Sequence, residues 1–532
     1  MSICVNNLTY QLPNQDTLFS NINFSIGDGQ KYAIIGNNGT GKSTLLNVIA
    51  GNLRQSEGKI QCGDTFLVPQ HFGQFDGMTV AECLHIAEKY HALQRILSGD
   101  ASESNFEILK DDWTLEERIA SAFQKWKISH ISVETKMSDL SGGEKTKVFL
   151  SGIDIHTPSV VLMDEPTNHL DKESRDNLYR FISEAKFTCL VVSHDRTLLN
   201  QFDSLLHMSR QGMRYYPMKY DEFRQIYERE CESVARDIVA KQHDLSKAKR
   251  MVRETVERQQ KHSSRGSKLS DSKGLPRIAK GNLKNNSENT MAKLKKAQND
   301  KLQTINRELD ELRCIVPDES QIKIDFSSPN LHTGKILIEL KAVNFNYPAC
   351  KFLWQENLTL TILSGDRIRI TGKNGQGKTT LLRLITGEIN PTLGVVSLAD
   401  NLSYVYLDQE YSLIDSNLSV FEQLASETTT LKDHELKIRL HRFLFPQQTW
   451  DKKCSALSGG EKMRLAICSL MVREAVPDMI ILDEPTNNID IASMEILAQT
   501  LSSYQGTIVV ISHDETFIED IGVTTTFDLN FL

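Results

Sequence analysis

The chain nearly repeats itself, and that repeat limits its possible architecture more than any other feature. GNNGTGKST at 36–44 is echoed by GKNGQGKTT at 372–380, and LSGGEK at 140–145 returns at 457–462. VVLMDEPTNHLD at 160–171 returns as MIILDEPTNNID at 479–490, and VVSHD at 191–195 returns as VISHD at 510–514. Asp164 and His194 stand as far apart as Asp483 and His513. Four segments in one order and at matched spacing require two homologous domains, placed at 1–215 and 335–532. A length of 532 residues accommodates both, since single domains run to roughly 100–200 residues.

Each repeat reads as α/β. KYAIIG (31–36) and DRIRITG (366–372) are short apolar strands that run into glycine-rich loops, and STLLNVIAG and TTLLRLITG continue them with helical patterns. VVLMD, TCLVVS, MIILD and TIVVIS are unbroken apolar runs of strand length, the signature of strands buried on both faces of a parallel sheet. The expected fold is two α/β domains with mostly parallel sheets.

Between the repeats the composition changes. Residues 241–300 hold 16 Lys/Arg against 6 Asp/Glu, within a chain whose net charge is −8. Tyr227, Cys231, Val234, Ile238, Leu245, Ala248 and Val252 follow a heptad rhythm with one gap at Lys241. Leu302, Ile305, Leu309, Leu312 and Val316 resume it. Two such stripes around a polar stretch at 261–282 predict an antiparallel helical coiled-coil hairpin over 216–334, with its tip at 261–282. The tip residues Arg265, Lys268, Lys273, Arg277, Lys280 and Lys284 are candidate RNA-phosphate contacts. No Phe, Tyr or Trp interrupts 261–284, so backbone and shape contacts are expected rather than base stacking.

The rest of the composition removes other classes. Nine cysteines stand singly with no CxxC pair, against a disulfide framework or a structural zinc site. The start, MSICVNNLTY, lacks the basic and apolar regions of a secretory signal, and no apolar run approaches the ~18 residues of a membrane span. A reducing cytoplasm is the expected location.

GxxxxGK[ST] between a strand and a helix is a phosphate-binding loop, whose backbone N–H groups and helix N-terminus surround anionic oxygens. Its residues are Gly36, Asn37, Asn38, Gly39, Thr40, Gly41, Lys42, Ser43 and Thr44 in the first repeat. In the second they are Gly372, Lys373, Asn374, Gly375, Gln376, Gly377, Lys378, Thr379 and Thr380. Lys42 and Lys378 are expected to reach the β- and γ-phosphates of ATP, and Ser43 and Thr379 to place a hydroxyl on Mg²⁺. Asp164 and Asp483 end apolar strands as further Mg²⁺ candidates. Glu165 and Glu484 follow as candidates to polarise the attacking water, and His194 and His513 as γ-phosphate contacts.

With LSGGE lying between phosphate loop and Asp-Glu, both repeats resemble the ATP-binding-cassette superfamily. In that superfamily two cassettes close head-to-tail around ATP. The resemblance therefore implies that Ser458, Gly459 and Gly460 complete the site of Lys42, and that Ser141, Gly142 and Gly143 complete the site of Lys378. It also implies a metal- and water-sensing role for Gln70 and Gln409, and adenine stacking by Tyr10 and Tyr347. Asp171 and Asp490 match the loop that follows the catalytic glutamate. Every element occurs twice, so both sites are expected to hydrolyse ATP.

Cassette, basic helical segment, cassette is an order that resembles the cassette F family over essentially the whole chain. That resemblance implies a ribosome-bound translation factor whose hairpin approaches tRNA, acting as a monomer because both cassettes are in one chain. A transporter subunit is the alternative, though fused import cassettes have a short junction. A repair ATPase is expected to carry CxxC modules or a very long coiled coil within a cassette. The stretch from Gln70 to Ser141 exceeds that from Gln409 to Ser458, and the excess, including SGDASESNFE, is where F-family members carry an arm; here it is short for a long arm, and its acidity argues against a large RNA contact. The chain ends soon after His513, so the C-terminal nucleic-acid-binding extension of some relatives is expected to be missing.

Overall fold

The apolar runs form two parallel sheets in the computed structural model. It describes residues 3–100, 102–209, 212–272, 296, 299–300, 302–309, 312, 334–348, 351–373, 375–408, 411–473, 475–487 and 489–529, with the backbone alone for 253 and 255–272. The first sheet has the order β5-β6-β7-β3-β8-β9, built from Thr65–Val68, Val160–Asp164, Thr188–Val192, Lys31–Ile35, Leu205–Ser209 and Gly212–Tyr216. Only β9 runs antiparallel, against β8. The second sheet, β14-β15-β16-β12-β17, is all parallel and uses Tyr404–Leu407, Met479–Asp483, Thr507–Ile511, Arg367–Thr371 and Thr525–Asp528. Strands β6, β7, β15 and β16 are buried at every residue, which is why their sequences lack the alternation of a half-exposed strand.

Each repeat adds a three-stranded antiparallel sheet. β1 (Ile3–Gln11) pairs with β2 (Thr17–Ile26) and β4 (Glu57–Cys62), and β10 (Ile336–Asn344) pairs with β11 (Leu358–Leu363) and β13 (Leu393–Leu398). Their inward residues, such as Leu8, Ile22, Leu340 and Ile362, share cores with the helices that follow the phosphate loops. In both parallel sheets the phosphate loop leaves the end of a central strand, with the Asp-Glu strand two places away. Phosphate loop, Asp-Glu and SHD therefore gather at the carboxyl edge, where ligands bind in open α/β sheets.

The longer stretch of the first repeat is helical. It holds Ala87–Leu97, Glu103–Leu109 and Leu115–Lys125, with Leu97, Phe106, Ile108 and Trp113 exposed.

The chain divides into two units. One consists of residues 1–222 and 322–532 and contains both repeats; the other is 223–321. Tyr220–Ser272 is one helix of 53 residues. Residues 302–309 are helical, and Glu308 accepts a hydrogen bond from Lys241, the position at which the heptad stripe breaks. Leu309, a stripe residue, is buried. Of the expected RNA contacts, Arg265 and Lys268 lie in the helical backbone. Lys273, Arg277, Lys280 and Lys284 lie outside the described residues. Among the described residues no helix is long and apolar enough to cross a membrane.

Candidate nucleotide sites

The phosphate loops take their shape from glycines in backbone conformations that other residues rarely adopt. Gly41 and Gly377 cap the helices Lys42–Ile49 and Lys378–Ile385 with φ of 95° and 84°. A Cβ at Gly377 would stand 2.2 Å from Leu353, and one at Gly36 would stand 2.2 Å from the carbonyl oxygen of Met208. Lys42 Nζ donates back to the carbonyls of Gly36 (2.6 Å) and Asn37 (3.1 Å), and Lys378 Nζ to Gly372 (2.7 Å). Each ammonium is thereby held over its own loop. Burial lowers the pKa of both lysines, opposed by the nearby carboxylates of Glu165 and Glu484.

The strand-end carboxylates stand beside these loops. Thr379 Oγ1 donates to Asp483 Oδ2 at 3.1 Å, and Tyr406 OH donates to the same oxygen at 3.2 Å. At the first loop the Ser43 hydroxyl likewise favours the ionised Asp164 carboxyl against its burial. Burial raises the pKa of both aspartates. Asp164 Oδ1 is buried without a hydrogen-bond partner among the described residues. A buried hydroxyl–carboxylate pair with a spare oxygen is a donor set that fits a hard divalent cation.

Glu165 and Glu484 follow in left-handed conformations, with φ of 50° and 49°. Their N–H groups donate to the carbonyls of Val192 and Ile511, both at 2.8 Å, so the paired sheet holds the strained backbone. Each side chain meets the histidine of its SHD segment: Glu165 Oε1 is 3.4 Å from His194 Nε2, and Glu484 Oε1 is 3.3 Å from His513 Nε2. Burial raises the Glu165 carboxyl and lowers the His194 imidazole. Burial likewise pushes Glu484 up to about 7 and His513 down to about 3. These contacts therefore join a neutral imidazole to a carboxyl group and are not ion pairs. His513 Nε2 also lies 3.3 Å from Lys378 Nζ.

Neither site is made by one repeat alone. A cavity of about 420 Å³ is lined by Lys378, Thr379, Thr380, Glu484 and His513 from the second repeat and by Ser141, Gly142 and Gly143 from the first. At the other loop, the Asn38 N–H donates to Asp490 Oδ2 at 3.3 Å. A Cβ on Gly460 would meet Asn38 Nδ2 at 3.2 Å. Ser141 and Ser458 cap the helices Gly142–His156 and Gly459–Val472 through reciprocal bonds with Glu144 and Glu461, so LSGGE is also a capping box. Ion pairs brace the two repeats: Arg196 with Glu495 (3.1 Å), and Lys172 with Glu515 (2.8 Å).

The comparisons with known proteins agree with this geometry. Residues 19–168 and 355–487 match the family described as ABC transporter. The chain belongs to the ATP-binding-cassette family. It is 30% identical to the ATP-binding protein Uup of Haemophilus influenzae over 92% of this chain and 72% of that protein. It is 28% identical to the ABC transporter ATP-binding protein YfmM of Bacillus subtilis, covering 96% of this chain and 95% of the relative. ABC transporter F family member 5 of Arabidopsis thaliana is 28% identical over 95% of this chain and 72% of its own length. Among solved structures, the archaeal ribosome recycling factor aABCE1, in complex with the ribosomal stalk protein aP1, aligns with a TM-score of 0.57 at 18% identity. That alignment covers 97% of this chain and 86% of that one. The chain is thus a twin-cassette ABC ATPase of the F type.

Other expected positions in this ABC ATPase resolve differently. Tyr347 lines the cavity and its hydroxyl lies 2.9 Å from Thr380 Oγ1. Tyr10 stacks on Phe19 at 5.9 Å, the ring that abuts Gly41. Gly39, Thr40 and Thr44 belong to the first loop and Gly375 to the cavity; the side chain of Gln376 accepts from the Lys373 N–H at 2.6 Å. Gln70 is half-buried just after β5, whereas Asn374 and Gln409 lie outside the described residues. The sequence reading missed Tyr406 and Arg175, which lines the cavity from the opposite cassette. Tyr406 carries no motif signal. Arg175 was detectable only as a mismatch between the repeats.

Proposed function

We propose that the chain hydrolyses ATP at two composite sites, each formed by the phosphate loop of one cassette and the LSGGE segment of the other. The observation that carries this is the shared cavity, in which Ser141 and Gly143 face Lys378, Glu484 and His513. Lys42 and Lys378 bind the terminal phosphates. Ser43 with Asp164, and Thr379 with Asp483, hold Mg²⁺, joined by Gln70 and Gln409; the ion supplies charge neutralisation for the phosphate chain. Glu165 and Glu484 orient and deprotonate the attacking water. His194 and His513, kept neutral by burial, donate to the γ-phosphate. Tyr10 and Tyr347 stack on adenine.

The partner in this reading is the ribosome, with tRNA at the tip of the basic segment, and the location is the cytoplasm. Supporting it are the 16 basic residues in 241–300 of an otherwise acidic chain and the F-type relatives. Related twin-cassette architecture also occurs in a protein described as a ribosome recycling factor. ATP closes the cassettes in the ribosome-bound state, and hydrolysis releases the protein, through differential affinity of the closed form.

Sucrose-gradient sedimentation of the Glu165→Gln/Glu484→Gln protein in lysate with ATP tests the reading. Comigration with ribosomes, lost when 261–282 is deleted, is the expected result. Recovery in membranes instead would favour the transporter reading.

A further inference from the structure

The cassettes match along their phosphate loops but differ in the turn that follows the first strand of each repeat. Two anchors fix how these turns correspond. Asn7 in β1 and Ala342 in β10 are both left-handed, with φ of 49° and 47°. Each presses its carbonyl on a glycine of the paired strand: a Cβ at Gly58 would stand 2.5 Å from the Asn7 oxygen, and one at Gly394 would stand 2.3 Å from that of Ala342. At the far end of the turn, a Cβ at Gly41 would meet Leu18 at 3.0 Å, and one at Gly377 would meet Leu353 at 2.2 Å. The spacing from Asn7 to Leu18 equals that from Ala342 to Leu353, so Phe345 is the counterpart of Tyr10, and Leu12 is the counterpart of Tyr347. Aligned by sequence alone, LTY at 8–10 and FNY at 345–347 would pair the two tyrosines instead.

The two tyrosines accordingly occupy different surroundings. Tyr10 lies within β1, packs against the first core and stacks on Phe19, which leaves one face of a half-buried ring. Phe345, its counterpart, packs against the second core in the same way. Tyr347 stands beyond the end of β10, is 42% exposed and lines the cavity with Lys378, Thr379 and Thr380. It is held from two directions: its ring meets Phe345 edge-on at 5.0 Å, and its hydroxyl lies 2.9 Å from Thr380 Oγ1. Leu12 is exposed to a similar degree, 37%, but has neither a ring for a base nor a hydroxyl for Thr44, the counterpart of Thr380.

We infer that Tyr347 and Leu12 give the two sites unequal holds on the nucleobase. The Lys378 site takes adenine on a fixed, exposed ring. The Lys42 site binds ATP chiefly through its phosphates, with only the free face of Tyr10 for the base. Stacking on a ring adds to the area it buries, which an aliphatic side chain in the same place cannot match. A ring already held by Phe345 and Thr380 also loses little freedom when the base arrives. The inference rests on the composite-site reading and on the phosphate roles of Lys42 and Lys378, and it ranks the two base contacts given there.

Equilibrium dialysis with radiolabelled ATP, competed by inorganic triphosphate, tests this in Glu165→Gln/Glu484→Gln protein. There Lys42→Ala leaves only the Lys378 site, and Lys378→Ala leaves only the Lys42 site. The ratio of the triphosphate Kd to the ATP Kd isolates what adenosine contributes and cancels differences between the phosphate loops. It is expected to be about tenfold larger at the Lys378 site. Tyr347→Leu should lower it to the level of the other site, whereas Tyr347→Phe, which keeps the ring, should stay within about threefold. Leu12→Tyr should raise the ratio at the Lys42 site at least about threefold, a gain that damage to folding cannot imitate. Equal ratios at the two sites, a ratio unmoved by Tyr347→Leu or by Leu12→Tyr, or a fall in Tyr347→Phe as large as in Tyr347→Leu overturns the inference. ATP still bound with both lysines replaced would instead overturn the phosphate-loop reading beneath it.

Discussion

At the scale of single residues, chemistry and backbone strain coincide. Glu165 and Glu484 adopt positive φ without being glycine, a conformation costing of order 1–3 kcal/mol, and each is held by a sheet hydrogen bond to the neighbouring strand. The motif residues were legible because phosphate chemistry constrains residue type and spacing together. This strain was not, since no residue type announces it. Tyr406 and Arg175 were hidden for a related reason: each acts through a contact distant in sequence, with Asp483 and with the opposite cassette. The glycines permit a direct test. A methyl at Gly36 would stand 2.2 Å from the Met208 carbonyl, whereas one at Gly51, φ 81°, meets nothing within 4 Å. Urea denaturation should show Gly51→Ala losing about 1–2 kcal/mol, the strain of a left-handed residue. Gly36→Ala is expected to lose more than that and to bind ATP poorly. Equal midpoints for the two would contradict the packing described for the first loop.

At the scale of elements, the parallel strands and the helices behind them follow from the apolar runs, and both central sheets have the expected α/β form. The helices of the first repeat's long stretch were not foreseen. Polar SGDASESNFE resembles a loop, yet Ser102 begins the helix Glu103–Leu109 and Leu109 is buried beneath it. One buried apolar residue in the seven of this helix is too weak a period to read without the packing partner. LSGGE shows the opposite situation, because the serine and glutamate that cap a helix also aim its N-terminus at the other cassette. Ser141→Ala should therefore cost about 1 kcal/mol of stability, as capping losses do. It should also slow hydrolysis at the Lys378 site more than at the Lys42 site, read in the single Glu165→Gln and Glu484→Gln proteins. Equal slowing at both sites would remove the link between cap and site.

At the scale of the whole molecule, the central claim is that each ATP site belongs to both cassettes of one chain. It rests on the shared cavity and on the Asn38–Asp490 hydrogen bond, with Arg196–Glu495 and Lys172–Glu515 as braces. The repeat made two cassettes evident in the sequence, and the family resemblance implied their head-to-tail pairing. Composition and spacing alone could not supply that pairing, because contacts between repeats leave no period in either one. The most direct measurement is ATP occluded per chain after rapid gel filtration, in the Glu165→Gln/Glu484→Gln background. Lys42→Ala with Gly460→Asp damages a single composite site, so one ATP per chain should remain. Lys42→Ala with Gly143→Asp damages both, and none should remain. The reverse pattern would mean that each cassette completes its own site, and would contradict the account.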